Sequence, residues 1–339
     1  MVGERRSRLA RLLLVGLPGS RPDSEALHLV RQGVGGVVIF DRNVVSANQL
    51  ATLVQRLQAE APSHLLVAVD QEPGRVARLA RLIGDTPSAR ELGSRSDGDV
   101  LRCGRVIGQG LARFGVNVDL APVLDIVDDE GVIDDRSFGA EPARVARAGV
   151  AFLRGLRTAG VHAVGRHFPG HGGTRTDSHE ALPIINTSLS QLLAWDLVPF
   201  QHAVRAGLSG VMVGHLLLRQ IDARLPASLS PTVVQQLLRE QLRFDGVAIS
   251  DALEMGAIRA SWDLPLATEL AVRAGLDLVL IGRSHDRVPE VLDRPEQALV
   301  AGRLSWPRVE QALGRIERLK GKVAAVPREG LPPPPPPRS

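Results

Sequence analysis

The 339-residue chain has no tyrosine, one cysteine, 3 tryptophans and 7 phenylalanines, and its only lysines are Lys320 and Lys322. Each scarcity excludes something. Cys103 alone cannot form an intramolecular disulfide, so nothing ties the fold to an oxidising compartment; a buried thiol and a cytoplasmic setting are expected. No run of about 18 apolar residues occurs, so no membrane span is expected. The near-absence of lysine makes arginine the source of the high isoelectric point, while the net charge is only +4. Those arginines are scattered among acids, with no basic stripe interleaved with aromatics, which argues against nucleic-acid binding. At 44% apolar and 23% charged residues the composition supports a globular core.

Arg5, Arg6, Arg8 and Arg11 precede Leu12-Leu13-Leu14-Val15. That apolar run is short for a secretion signal and no small-residue cleavage site follows it, so a first β-strand is expected. Apolar, β-branched runs then recur at Gly36–Phe40, Leu65–Asp70, Val116–Val123, Val161–Val164, Val211–Val213, Val247–Ile249 and Leu276–Ile281. Amphipathic stretches separate them, among them Ser46–Ala59, Asp99–Phe114, Pro142–Ala159, Leu189–Ala206 and Pro231–Leu242. Ser46 and Ser230-Pro231 offer helix starts; Gly160, Gly207 and Gly275 sit where helices should stop. Continuous apolar strands alternating with helices mean a parallel sheet covered on both faces. Eight such units predict a single α/β domain, a (β/α)8 TIM-type barrel, over residues 1–325. A doubly wound sheet is the alternative, but Gly16-Leu17-Pro18-Gly19 is a poor phosphate turn. Residues 326–339, with the run Pro332 to Pro337, are expected to be a disordered proline-rich tail.

In such a barrel the active groups sit just after strand C-termini. Asp70, Gln71 and Glu72 follow the third strand, and Asp125 and Arg136 the fourth. Arg166, His167, Asp177 and His179 follow the fifth, and His215 the sixth. Asp251 and Glu254 follow the seventh, Arg283 and His285 the eighth. Asp177 lies two residues before His179 on a glycine-rich loop, where a carboxylate can orient an imidazole and raise its basicity. One reading of these groups is glycoside hydrolysis, with Asp251 as nucleophile and His179 as proton donor; equally, Asp251 could cap a helix starting near Ala252. Another is metal-assisted hydrolysis through His162, His167, His171, His179 and Asp177. These lie on one strand and its loop without paired ligand spacing, and the first strand offers no ligand, so neither a metal nor another cofactor is expected. His162 is expected to pack within its strand; His28, His64 and His202 carry no signal; His215 is as consistent with lining a pocket as with packing.

Residues 166–179, Arg-His-Phe-Pro-Gly-His-Gly-Gly-Thr-Arg-Thr-Asp-Ser-His, closely resemble the Lys-His-Phe-Pro-Gly-His-Gly…Asp-Ser-His motif of glycoside hydrolase family 3, in particular its bacterial β-N-acetylglucosaminidase branch. Four more blocks match in order. Val69–Arg78 resembles the Asp-Gln-Glu-Gly-Gly-Arg-Val block, Asn117–Asp125 the fourth-strand block, Asp135–Gly139 an arginine loop, and Ile249–Met255 the nucleophile block. The resemblance implies a retaining exo-hydrolase of terminal β-linked N-acetylglucosamine, from muropeptide or other cell-wall fragments. It implies that Asp251 forms a covalent glycosyl–enzyme and that His179, oriented by Asp177, is the acid and base. It also implies that Asp70, Arg78, Arg136, Arg166 and His167 hold the terminal sugar. The partner expected is a small carbohydrate, with no nucleic acid and no membrane, and the protein is expected to be a monomer.

Two departures stand out. Arg166 replaces the family's lysine with a bulkier, forked cation, and Pro73 replaces a glycine and removes an N–H. The alternatives kept are a phosphorylase, since a histidine donor does not repel phosphate; a β-glucosidase; and a sugar-binding protein that has lost catalysis. Trp262, beyond the nucleophile block, is expected to pack against a helix rather than face a leaving group.

Overall fold

A computed structural model describes residues 2–127 and 131–324; the proline-rich tail lies outside them. The chain runs through β1 (Leu13–Gly16), β2 (Gly36–Ile39), β3 (Leu66–Val69), β4 (Val118–Asp119), β5 (His162–Phe168), β6 (Ile184–Ile185), β7 (Gly210–Val213), β8 (Leu217–Leu218), β9 (Val247–Ser250) and β10 (Val279–Ile281). Eight of these form one sheet in the order β10-β1-β2-β3-β4-β5-β7-β9, and neighbours pair in parallel. A parallel bridge between Ile249 and Leu278 closes the circle, with the Ser250 N–H on the Leu278 carbonyl at 3.0 Å. The fold is the expected (β/α)8 barrel. Every residue of β1, β2, β3, β7 and β9 is buried, which is why these strands read as unbroken apolar runs. The short strands β6 and β8 pair beside the barrel mouth; two-residue strands leave no periodic signal to read.

Helices between the strands follow their local chemistry. The helix Ala47–Glu60 starts on a capping box: the Ser46 hydroxyl accepts the Gln49 N–H and the Gln49 side chain returns to the Ser46 N–H. Its Leu50, Leu53, Val54 and Leu57 form the buried stripe. Gly160, Gly207 and Gly275 take positive φ where helices end, as expected.

One helix was not foreseen, and three expectations need correction. A helix, Val2–Ala10, precedes β1; Arg6, Arg8 and Arg11 pair with carboxylates at Asp293, Glu296, Glu310 and Glu317. The fourth strand pairs regularly only at Val118–Asp119, since Pro122 has no N–H for a ladder. The fifth continues past Val164 to Phe168, so Arg166 and His167 sit on β5, after a register shift near Gly165. The stretch Leu189–Ala206 is two helices, Leu189–Ala194 and Val198–Arg205. An unbroken helix would need a Pro199 N–H for the Trp195 carbonyl, and the ring would clash there.

No helix among the described residues is long and apolar enough to cross a membrane. The closest helix pair is Asp97–Arg113 against Pro142–Thr158. Glycines permit it: a Cβ on Gly155 would lie 2.3 Å from the Leu101 carbonyl oxygen, and one on Gly104 2.4 Å from that of Phe152. Gly155→Ala should therefore destabilise the fold by about 1–3 kcal/mol through overpacking, despite alanine's better helix propensity. Gly321→Ala, in the helix Trp306–Ala324 with nothing within 4 Å of the new carbon, should instead stabilise by about 0.5–1 kcal/mol. Urea unfolding midpoints of the two variants should move in opposite directions.

Candidate active site

The C-terminal ends of the barrel strands surround one cavity of about 1230 Å³. It brings together Asp70, Arg78, Arg136, Arg166, His167, Asp177, His179 and Asp251, all eight of the site residues read from the sequence.

One wall is a row of alternating charges. Asp70, at the end of β3, accepts from Arg166, and Arg78 lies 3.6 Å from its other oxygen while also pairing with Asp41 at 2.9 Å. The guanidinium of Arg166 reaches on to Glu72. Arg136 grips Glu72 with a fork, Nε at 2.9 Å and a terminal nitrogen at 2.7 Å. Burial alone would raise the Glu72 carboxyl, but Arg166 and Arg136 outweigh it and bring it down to about 2. Asp119 on β4 is the opposite case. Burial pushes its carboxyl well above the usual range; one oxygen takes the Gln71 N–H at 3.0 Å and the other has no partner among the described residues. The turn joining these groups accommodates Pro73: proline leads and Gly74 follows at φ +88°, with the Glu72 N–H on the Val76 carbonyl at 2.8 Å.

The opposite wall is built from the β5 loop and the end of β9. Asp125, buried, accepts the His167 ring Nδ1–H at 2.7 Å and the His171 backbone N–H at 2.7 Å. That fixes the tautomer of His167 and leaves Nε2 for the cavity. Further along, Asp177 accepts both the backbone N–H of His179 at 2.8 Å and its ring Nδ1–H at 2.9 Å, again leaving Nε2 open. His179 is exposed, and the loop is held from behind. The N–H groups of Gly256 and Ala257 donate to the carbonyls of His179 and Ser178 at 3.0 and 3.1 Å. A Cβ on Gly256 would sit 2.6 Å from the His179 carbonyl oxygen, so this seam requires glycine.

Asp251 follows β9. Its Oδ1 accepts the Ala252 N–H at 2.8 Å, and its own N–H donates to Val213 at 3.0 Å. Burial would raise the carboxyl, but His215, His167, the Ala252 N–H and Arg166 together hold it below the usual range. It is an ionised carboxylate with one oxygen uncommitted. The helix-capping alternative does not apply, because the next helix starts at Gly256, with Met255 before it and no side-chain cap.

Other candidates resolve into support. His215 is fully buried. Its Nε2–H donates to the Ala252 carbonyl at 3.0 Å, so Nδ1 accepts from the Ser228 hydroxyl at 2.7 Å. Glu254 accepts three backbone N–H groups, of Gly282, Arg283 and Ser284, at 2.9–3.0 Å. The histidines considered as metal ligands do not converge. His162 is at the far end of β5, bonded to Ser209 at 2.9 Å, and both ring nitrogens of His171 meet hydroxyls, of Thr174 and Ser178. Trp262 packs against the core. Sequence reasoning placed Glu72 and Asp125 among the groups at strand ends without a specific role, and missed Asp119. For Asp119 a signal existed, a lone acid inside the apolar run Val118–Val123.

A model of the glycosyl hydrolase family 3 N terminal domain matches residues 6–319. The β-hexosaminidase LpqI of Mycobacterium tuberculosis is 40% identical over 326 residues, 93% of this chain and 82% of its own length. A β-hexosaminidase of Idiomarina loihiensis is 34% identical, covering 90% of this chain and 96% of its own. Among solved structures, a glycoside hydrolase family 3 β-N-acetylglucosaminidase from Paenibacillus sp. superposes with a TM-score of 0.91 at 36% identity over 94% of this chain; the match spans 62% of that longer chain. A family 3 glycosyl hydrolase from Mycobacterium smegmatis superposes at 0.86 with 38% identity, over 93% and 97% of the two chains.

The lowered Glu72 carboxyl has a measurable consequence. Because its folded value lies below the unfolded one, the stabilisation is complete above the unfolded value of 4.5 and is lost as pH falls towards about 2. Such a shift corresponds to roughly 3 kcal/mol. The stability advantage of the wild type over Glu72→Gln should therefore shrink by about that amount in urea titrations taken from neutral pH down to about pH 2. A gap that stays constant with pH would mean the arginines do not hold the carboxylate.

Proposed function

The chain belongs to glycosyl hydrolase family 3, and from that premise we propose that it is a retaining exo-acting β-N-acetylglucosaminidase. The observation that carries the reading is the meeting of Asp251 and the Asp177–His179 pair at one cavity, with the histidine's loop sewn to the segment just after the aspartate.

In this reading the terminal sugar lies along the charged wall. Asp70 and His167 Nε2 accept from its hydroxyls, and Arg78, Arg136 and Arg166 donate to hydroxyl or acetyl oxygens. The free Oδ2 of Asp251 attacks the anomeric carbon while the Nε2–H of His179 protonates the departing glycosidic oxygen, giving a covalent glycosyl–enzyme. Asp177 stabilises the imidazolium before that transfer and keeps Nδ1–H in place after it. A water then enters, His179 Nε2 takes its proton, and the hydroxide oxygen displaces Asp251, restoring the starting protonation. The leaving group occupies the rim, where Arg42, Arg259 and Arg283 line the cavity and Glu254 is satisfied by backbone N–H groups. That cationic rim supports carboxylate-bearing leaving groups such as cell-wall muropeptides. It also favours phosphate as an acceptor in place of water, the one rival reaction with a structural argument behind it. The reading includes a cytoplasmic monomer, consistent with the buried thiol of Cys103, which burial raises to about 11.

The test is turnover of an aryl β-N-acetylglucosaminide beside the matched glucoside. The wild type should prefer the acetamido sugar, Asp251→Asn should lose nearly all activity, and His179→Ala should lose about 10²–10⁴-fold. A 2-fluoro sugar should label the peptide containing Asp251. Inactivity of the wild type, or full activity of Asp251→Asn, would refute the proposal; sugar 1-phosphate accumulating in phosphate buffer would make the enzyme a phosphorylase. Gly256→Ala, whose Cβ would meet the Glu180 and His179 carbonyl oxygens at 2.3 and 2.6 Å, should lower kcat about tenfold or more by displacing His179, with a loss of stability of about 1–3 kcal/mol.

A further inference from the structure

We propose that Glu72 is the positioning residue of the sugar subsite: it touches neither cavity nor substrate, and it sets the orientation of both Arg136 and Arg166. The proposal rests on the reading of the cavity as a sugar site.

The geometry is specific. Glu72 is 1% exposed and is absent from the cavity wall, whereas both arginines line it. One carboxylate oxygen accepts from two different guanidiniums, and the other accepts the Nε–H of Arg136 at 2.9 Å. Arg136 and Arg166 repel each other. Asp70 accepts from Arg166; Asp119, nearby, accepts the Gln71 N–H instead, at 3.0 Å. Among the described residues, Glu72 is thus the ionised acid that pairs with both. A guanidinium bound at two edges keeps a fixed plane, which a freely rotating ammonium would not. Arg166 uses its two terminal nitrogens on Asp70 and Glu72, and its buried Nε–H has no partner among the described residues. The arginine that departs from the family's lysine is therefore held at both terminal nitrogens.

Removing the Glu72 charge should have two effects. The arginines lose their common anchor, so substrate affinity falls while the reacting groups, Asp251 and His179, stay in place. The two cations are also left undercompensated, and a small tetrahedral oxyanion can settle between them. For Glu72→Gln we expect KM to rise about tenfold with kcat changed less than about threefold, the pattern of lost uniform binding. Sulfate should inhibit this variant competitively at least about tenfold more tightly than it inhibits the wild type. Calorimetric titration of sulfate should show the same gain, and Glu72→Gln combined with Arg166→Gln should abolish it. Glu72→Asp, which keeps the charge but shortens the reach, should show a smaller rise in KM and no gain in sulfate affinity.

A folded Glu72→Gln with wild-type KM and wild-type sulfate affinity would overturn the proposal, as would a fall in kcat at unchanged KM. If Glu72→Gln does not fold, as circular dichroism would show, a wild-type KM in Glu72→Asp overturns it instead. The sulfate titration needs no turnover: an inactive wild type would sink the functional reading, while sulfate binding would still report on Glu72.

Discussion

The buried carboxylate of Asp125 organises the half of the cavity that the β5 loop builds. It lies behind the mouth of the barrel and receives both the ring of His167 and the backbone of His171. Two hydrogen bonds to one ionised, desolvated group are strong constraints, because leaving either donor unpaired in that environment is costly. Burial opposes its ionisation, and the donors around it reverse that and hold the carboxyl below the ordinary range. The loop after β5 cannot leave the barrel without breaking this arrangement, and the Asp177–His179 pair hangs from that loop.

The two walls of the cavity solve different problems. The wall from β3 and β4 is a network of ion pairs in which Glu72, Arg136 and Arg166 are nearly dry. Such a network is built for fixed geometry rather than for net stability, since burying charges costs much of what their attraction returns. The facing wall holds Asp251 with one oxygen free and His179 with one nitrogen free. There the protein satisfies half of each group and leaves the other half for chemistry. Rigidity on one side and unspent valence on the other is how a preorganised site binds a ground state and still reacts.

The sequence was most legible where the determining interactions are local. Strands buried on both faces read as apolar runs, and all eight were found. The Asp177–His179 pair was visible because it is made within three residues. Long-range pairings were not visible: Arg136 and Arg166 meet Glu72 from 64 and 94 residues away, and no periodicity encodes that. His215 could not be assigned until Ser228 and Ala252 appeared on its two nitrogens. Strand ends were misjudged where a register shift or a proline intervened, as at Gly165 and Pro122.

The loop after β5 is fastened twice, at its root by Asp125 to His171 and near its tip by Gly256 and Ala257 to residues 179 and 178. Gly172 is pressed against the Ile126 carbonyl, 1.8 Å from where a Cβ would be, whereas Gly173 faces open space. Thr174, between the two fastenings, is itself buried and bonded to the His171 ring, so the slack of this twice-buckled strap lies at Gly173. Natural variation in loop length has room there to reshape the cavity entrance without carrying His179 away from its station.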